Sequence, residues 1–175
     1  ADHLLALASG IDARPVAPRE AAKSIGKEVT FPADIESVEE VERVLLDLAE
    51  KVGYRLRRKG CKGRTIQLKL RLGDFRTYTR SRTLAEATCY DRDIYETALA
   101  LYRALGVHQG IRLLGISVSG FDTSGAISLF HEEVRKENLY AAIDSIKKRF
   151  GEQGITKAHL LKRERADDGD KEDEV

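Results

Sequence analysis

The stretch Thr65-Ile66-Gln67-Leu68-Lys69-Leu70-Arg71-Leu72 decides how this chain folds. Its apolar side chains fall on every even position, so a strand here buries Ile66, Leu68, Leu70 and Leu72 and shows Thr65, Gln67, Lys69 and Arg71 on the opposite face. The surroundings are cationic. Between Lys62 and Arg82 stand seven bases (Lys62, Arg64, Lys69, Arg71, Arg76, Arg80, Arg82) and one acid, Asp74. Cations on a sheet are ordinary and protect edges against aggregation. A run this one-sided also offers spaced charge and backbone amides to a phosphate backbone.

Working outward, Gly60 and Gly63 lead into this strand, Arg64 to Leu72, and a turn at Gly73-Asp74 returns the chain as a further strand, Arg76 to Leu84. That strand is polar on both sides, Thr77, Thr79, Ser81 and Thr83 alternating with Arg76, Tyr78, Arg80 and Arg82, and the pattern leaves its inner face unassigned. Upstream, Lys23 to Phe31 alternates Ile25, Val29 and Phe31 against Ser24, Gly26, Glu28 and Thr30, which predicts a first strand. Ser37 followed by Glu40 is a capping box, and Val38, Val41, Leu45, Leu48 and Val52 recur at helical spacing to about Arg58. The basic end of that helix, Arg55-Leu56-Arg57-Arg58-Lys59, complements the helix dipole, with a nucleic-acid contact as the alternative reading.

Downstream, Asp91 and Asp93 open a second helix with Ile94, Ala98, Leu101 and Leu105 as its buried stripe, and Gly106 ends it. Ile111 to Phe121 then reads as a strand with Leu114, Ile116 and Val118 inward and Ser117 and Ser119 outward. The order βαββαβ predicts an α+β fold: a four-stranded sheet with two helices on one face and the other face free.

The flanks divide further. Residues 1–10 read as the last turns of a helix (Leu4 to Ala8) stopped by Gly10, and 11–22 as a linker held extended by Pro15 and Pro18. The domain proper is 23–121. Residues 122–161 form a C-terminal extension: a Gly/Ser-rich loop, an apolar patch at Ile127-Ser128-Leu129-Phe130, and a helix from about Glu132 to Phe150 with Leu139, Ala142, Ile143 and Ile146 on one stripe. Residues 162–175 carry only Ala166 and Val175 as apolar residues and are expected to be a disordered acidic tail.

Composition agrees with a globular chain of one domain and appendages: 175 residues, 42% apolar and 34% charged. From Ala166 to Val175 six acids face one base, a net −5, so within a whole-chain charge of +1 the remainder carries +6. No run approaches the roughly 18 apolar residues of a membrane span, and no signal peptide is evident, so a cytoplasmic location is expected. Cys61 and Cys89 are expected as free thiols. The chain opens at Ala1 and has no methionine, which reads as an excised piece of a longer protein.

No catalytic or metal site is assigned. Two-metal chemistry needs carboxylates holding two metal ions about 4 Å apart. The nearest candidate, Asp91-x-Asp93, sits at a helix start, where acids cap and complement the dipole. Gly115-Ile116-Ser117-Val118-Ser119 fails the nucleophile-elbow pattern, its last position being serine in strand context. His3, His108, His131 and His159 are too scattered for a metal site or a triad.

Gly10-Ile11-Asp12-Ala13-Arg14-Pro15-Val16, running into Lys23-Ser24-Ile25-Gly26-Lys27-Glu28-Val29-Thr30-Phe31, resembles the thumb-to-little-finger junction of Y-family translesion DNA polymerases of the bacterial DNA polymerase IV type. Lys62-Gly63-Arg64-Thr65, Asp74-Phe75-Arg76-Thr77, Arg80-Ser81-Arg82-Thr83 and Arg112-Leu113-Leu114-Gly115-Ile116-Ser117 resemble later parts of the same domain, in order. The resemblance covers about Gly10 to Phe121, and the βαββαβ order agrees with the little-finger fold it implies. It further implies a domain lying in the major groove of double-stranded primer–template DNA and gripping both backbones without reading sequence. A parent DNA-directed DNA polymerase, a nucleotidyltransferase using Mg2+, would carry the catalytic acids in a palm domain upstream of Ala1.

On this reading the DNA-contacting residues are Lys23, Ser24, Gly26, Lys62, Arg64, Thr65, Lys69, Arg71, Arg80, Arg82, Arg112, Ser117 and Ser119. Arg112 falls in phase with Leu114 and Ile116, so its outward orientation requires a twist or bulge. The apolar patch stands where family members often carry a sliding-clamp-binding peptide Gln-Leu-Ser-Leu-Phe, with Ala126 replacing the glutamine; Ile127, Leu129 and Phe130 are the clamp-binding candidates, and covering the core is the alternative reading of the same residues. Two alternatives remain. An unrelated RNA-binding domain needs stacking aromatics, and Tyr78 is its one outward candidate. A protein-interaction module would bind a sliding clamp through the patch at Ile127 to Phe130.

Overall fold

The structure, a computed structural model, describes residues 2–12, 15, 22–107, 109–122 and 131–161. Most of the expected linker, the apolar patch with Ile127, Leu129 and Phe130, and the acidic tail lie outside the described residues.

The elements run α1 (Asp2–Ala8), β1 (Ser24–Ile35), α2 (Val38–Arg58), β2 (Lys62–Leu72), β3 (Thr77–Thr88), α3 (Asp91–Leu105), β4 (Ile111–Asp122), α4 (His131–Phe150) and a 3-10 turn at Ala158–Leu160. The strands form one antiparallel sheet in the order β1-β4-β2-β3, with α2 over β1 and β4 and α3 over β2 and β3. The βαββαβ domain expected from the alternation is present, and β2 and β4 lie at its centre because both bury one complete face.

Ile66, Leu68 and Leu70 of β2 and Leu114 and Val118 of β4 are fully buried, beneath Leu45, Val52 and Leu56 of α2 and Ile94 and Ala98 of α3. A buried leucine of this kind contributes roughly 1.5–3 kcal/mol. β1 runs four residues beyond Phe31, across Pro32. Proline lacks an N–H for a ladder, and an outer strand tolerates it at a bulge; the register of β1 on β4 shifts between Thr30 and Ile35.

α2 starts as its capping box requires: Ser37 Oγ accepts from the Glu40 N–H at 3.3 Å. Val38, expected on the buried stripe, is 49% exposed, because it sits in the first turn, before the helix reaches the sheet. α3 ends at Gly106 in the left-handed conformation, φ 59°, which glycine adopts without a Cβ clash.

The attachment of α4 differs from expectation. Leu139 is 58% exposed and Ala142 is exposed, whereas Tyr140, Ile143, Asp144 and Lys147 face the domain. A polar hub sets this face. Arg57 donates to Asp144 through Nε (2.8 Å) and Nη2 (2.9 Å), and through Nη1 to Asp91 (2.7 Å) and the Cys89 carbonyl (2.8 Å). Tyr140 lies over its guanidinium at 4.5 Å and stacks on Tyr90 at 5.1 Å. Further along, Lys147 pairs with the buried Glu50 at 3.3 Å. Arg57, read from sequence as a dipole partner, is thus the tether for the last helix.

Candidate nucleic-acid interface

The face of the sheet away from α2 and α3 is a grid of four rows, because cross-strand partners in an antiparallel sheet share a face. From β1 across to β3 the rows are Ser24, Ser119, Thr65, Thr83; Gly26, Ser117, Gln67, Ser81; Glu28, Gly115, Lys69, Thr79; and Thr30, Leu113, Arg71, Thr77. Nine of the sixteen positions carry hydroxyls, and the charges are Lys69 and Arg71 against Glu28. The centre is a donor-rich, nearly neutral floor.

Hydrogen bonds within the grid orient these groups. Ser117 Oγ donates to Gln67 Oε1 at 3.2 Å, Thr65 and Thr83 share a hydroxyl bond at 3.1 Å, and Arg71 Nε donates to Thr77 Oγ1 at 2.9 Å. Gly26 and Gly115 leave a depression of about 340 Å³ bordered by Glu28, Gln67, Lys69 and Ser117. A Cβ on Gly26 would stand 2.8 Å from Ser117 Cβ, and one on Gly115 2.9 Å from Glu28 Cβ, so glycine keeps those rows close together.

Of the residues nominated from sequence, Ser24, Gly26, Thr65, Lys69, Arg71, Ser117 and Ser119 share this face. Arg80 and Arg82 do not. They pair with Leu68 and Ile66 and so fall in the helix-side phase of β3, where both stay exposed at the outer edge because long arginine stems reach past a partly covered strand to water. Lys62 and Arg64 flank Gly63 at a register shift of β2 against β3, and Lys62 lies by the Tyr90 ring and pairs with Glu137 of α4 at 3.0 Å. Lys23 is exposed just before β1. Arg112 stands at a bulge: Arg71 pairs with Leu113 but Leu72 with Ile111, which leaves one extra residue in β4. Its guanidinium lies 5.2 Å over Phe75 and 3.6 Å from Asp34.

The seven cations counted between Lys62 and Arg82 are therefore neither on one face nor unopposed. Lys62 pairs with Glu137, Arg64 with Asp122 (3.4 Å), Lys69 with Glu28 (2.8 Å) and Arg76 with Asp74 (2.6 Å). Three of those acids come from distant segments that a local charge count misses. Exposed pairs of this kind are worth about 0–1 kcal/mol, so a polyanion can displace them. At the turn, the Arg76 backbone N–H holds the Asp74 carboxyl below its ordinary value, and the same carboxylate holds the Arg76 guanidinium above its own. Sequence reading missed Thr30, Gln67, Thr77, Thr79, Ser81 and Thr83. Alternation alone put Gln67 and Thr30 opposite the buried side chains of their strands, whereas only register assigns Thr77, Thr79, Ser81 and Thr83 of β3 to the free face.

The deeper charges are structural. Burial raises the pKa of Asp91, opposed by Arg57. Burial likewise works against the charge of Arg57, but Asp144 and Asp91 outweigh it and hold that pKa above its ordinary value. Cys61 and Cys89 are free thiols, and burial pushes Cys89 up. Among the described residues no group of three His, Cys, Asp or Glu side chains is placed to hold a metal ion, and no helix is long and apolar enough to cross a membrane.

Residues 22–129 match the model of the impB/mucB/samB family C-terminal domain. The chain belongs to that family. The likeness read from its motifs, to the little-finger domain of Y-family polymerases of the DNA polymerase IV type, is thereby shown. Among curated relatives of this impB/mucB/samB domain, DNA polymerase IV of Clostridium kluyveri is 36% identical over 171 residues, covering 89% of this chain and 42% of the relative. DNA polymerase IV of Desulfatibacillum aliphaticivorans is 38% identical over 165 residues (90% and 42%), and that of Caulobacter vibrioides 38% over 159 (89% and 40%). The chain thus spans less than half the length of these relatives. A solved structure described as a complex of the beta-clamp processivity factor and the little finger domain of PolIV aligns with a TM-score of 0.49 at 23% identity, covering 62% of this chain and 97% of that one.

Proposed function

We propose that this domain binds the sugar–phosphate backbones of double-stranded primer–template DNA without sequence specificity, as the little finger of an error-prone translesion DNA polymerase acting in DNA repair in the cytoplasm. The observation that carries the proposal is the helix-free sheet face, donor-rich in hydroxyls, with exposed arginines at its β3 edge. Four strands about 4.8 Å apart span ~14 Å, close to the roughly 12 Å width of a B-DNA major groove. A sheet seated there puts its floor over the groove and its edges against the two backbones. Hydroxyls and amides position phosphates, whereas base readout needs bidentate side chains aimed at base edges.

A salt titration tests this. If four to six phosphates are neutralised, log affinity for a duplex falls with log salt at a slope of about −4 to −5, alike for unrelated sequences. A salt-insensitive or sequence-selective isotherm overturns the reading. Mg2+, implied for the parent polymerase, finds no fitting donor set among the described residues. A sliding clamp is a second proposed partner, through Ile127, Leu129 and Phe130, and rests on the sequence of that patch. Loss of clamp pull-down on Phe130→Ala tests it.

A further inference from the structure

We infer that the C-terminal end of α2 and the open edge of β1 form a phosphate-binding site of their own, taking the backbone of one strand of the bound duplex; the inference rests on the DNA-binding reading above. β1 is an outer strand, so one of its edges has no neighbour in the sheet. On it, Arg55 Nη1 donates to the Gly26 carbonyl at 3.2 Å. In an antiparallel strand the N–H and C=O of one residue point to the same side, so the Gly26 amide opens on that edge too. Ser24, Gly26, Arg55, Arg58 and Lys59 border one concavity of about 460 Å³.

These cations are not needed to finish the helix. The carbonyls of Arg55, Leu56 and Arg57 are met by the backbone N–H groups of Lys59, Gly60 and Cys61. Nor are they neutralised: among the described residues no carboxylate pairs with Arg55, Arg58 or Lys59. Lys69, on the free face, has Glu28. Two guanidinium forks, an ammonium and an outward amide complement successive phosphate diesters, each of which accepts such donors on two oxygens. The site lies at the opposite edge of the sheet from Arg80 and Arg82. One backbone then runs along each edge, with the hydroxyl floor between.

The test is the salt dependence of duplex binding, read by fluorescence anisotropy on one labelled duplex. Wild type is expected near −4 to −5, and Arg55→Gln/Arg58→Gln/Lys59→Gln should flatten that slope by about 2 to 3 units, at roughly 0.9 per phosphate. Arg55→Lys/Arg58→Lys keeps the charge and should restore most of it. Arg58→Gln/Lys59→Gln leaves the bond between Arg55 and Gly26 intact, so a folding defect at β1 does not cloud the result; it should flatten the slope by one to two units. The Gly26 amide resonance should also shift on adding duplex. If wild type shows no salt-dependent binding, the DNA-binding reading falls and this site with it. If wild type has the expected slope and both glutamine variants retain it, this site alone is refuted.

Discussion

Lys69 Nζ lies 2.8 Å from Glu28 Oε2 although a whole strand separates them. The residue between, Gly115 of β4, pairs with both and has no side chain, so the lysine reaches across an empty position. The central cation of the free face is thus held by a carboxylate of the outer strand. A phosphate that takes up Lys69 would have to break this pair.

Glu28→Gln should therefore strengthen duplex binding. An exposed ion pair is worth up to about 1 kcal/mol, so the gain is up to about fivefold at moderate salt, measured by anisotropy. Unchanged or weaker binding would mean that Lys69 does not meet phosphate.

Arg80 and Arg82 sit in the helix-side phase of β3, yet both are exposed at its edge. If that edge follows a backbone, Arg80→Gln and Arg82→Gln should each flatten the salt slope by about 0.9. Thr79→Val, on the floor between, should weaken binding without changing the slope. Slopes unmoved by both arginine variants would leave these residues as edge protection only.

Asp144→Ala should loosen α4 while sparing the sheet. It removes a bidentate charge-assisted partner of Arg57, and the domain core does not include that carboxylate. Hydrogen exchange should show lost protection in residues 139–150, by roughly 1–3 kcal/mol, with β2 and β4 unaltered. Equal loss in β2 would show that α4 folds as one unit with the sheet.

Asp91 is 2% exposed, and burial raises its pKa above the ordinary 3.8 while Arg57 opposes the shift. A carboxylate raised in the folded state contributes stability that is fully present below the ordinary value and is lost as pH rises through the folded value. The stability of wild type relative to Asp91→Asn should accordingly fall as pH is raised from 3.8 towards neutrality, followed by denaturant unfolding. A difference that grows over that range would show the pair with Arg57 outweighing burial.

Much of the fold is legible in local pattern. The even-position leucines of β2 predict its buried face without any partner, because side chains alternate along a strand whatever lies beside it. The bulge required to turn Arg112 outward is likewise present. α4 was legible as a helix but not in its facing, since its dock runs through Arg57, Asp144 and Tyr140 rather than an aliphatic stripe.

The sequence by itself determined the order of elements, the inward faces of β2 and β4 and the helix boundaries at Ser37 and Gly106, all set by interactions a few residues long. Only the tertiary structure decided which face of β3 looks where, that Glu28 and Glu137 neutralise Lys69 and Lys62, and that Arg55 at the end of α2 meets the edge of β1. The reason is physical: charges and hydroxyls act through space at distances set by strand register, and register is a property of the paired strands rather than of either one.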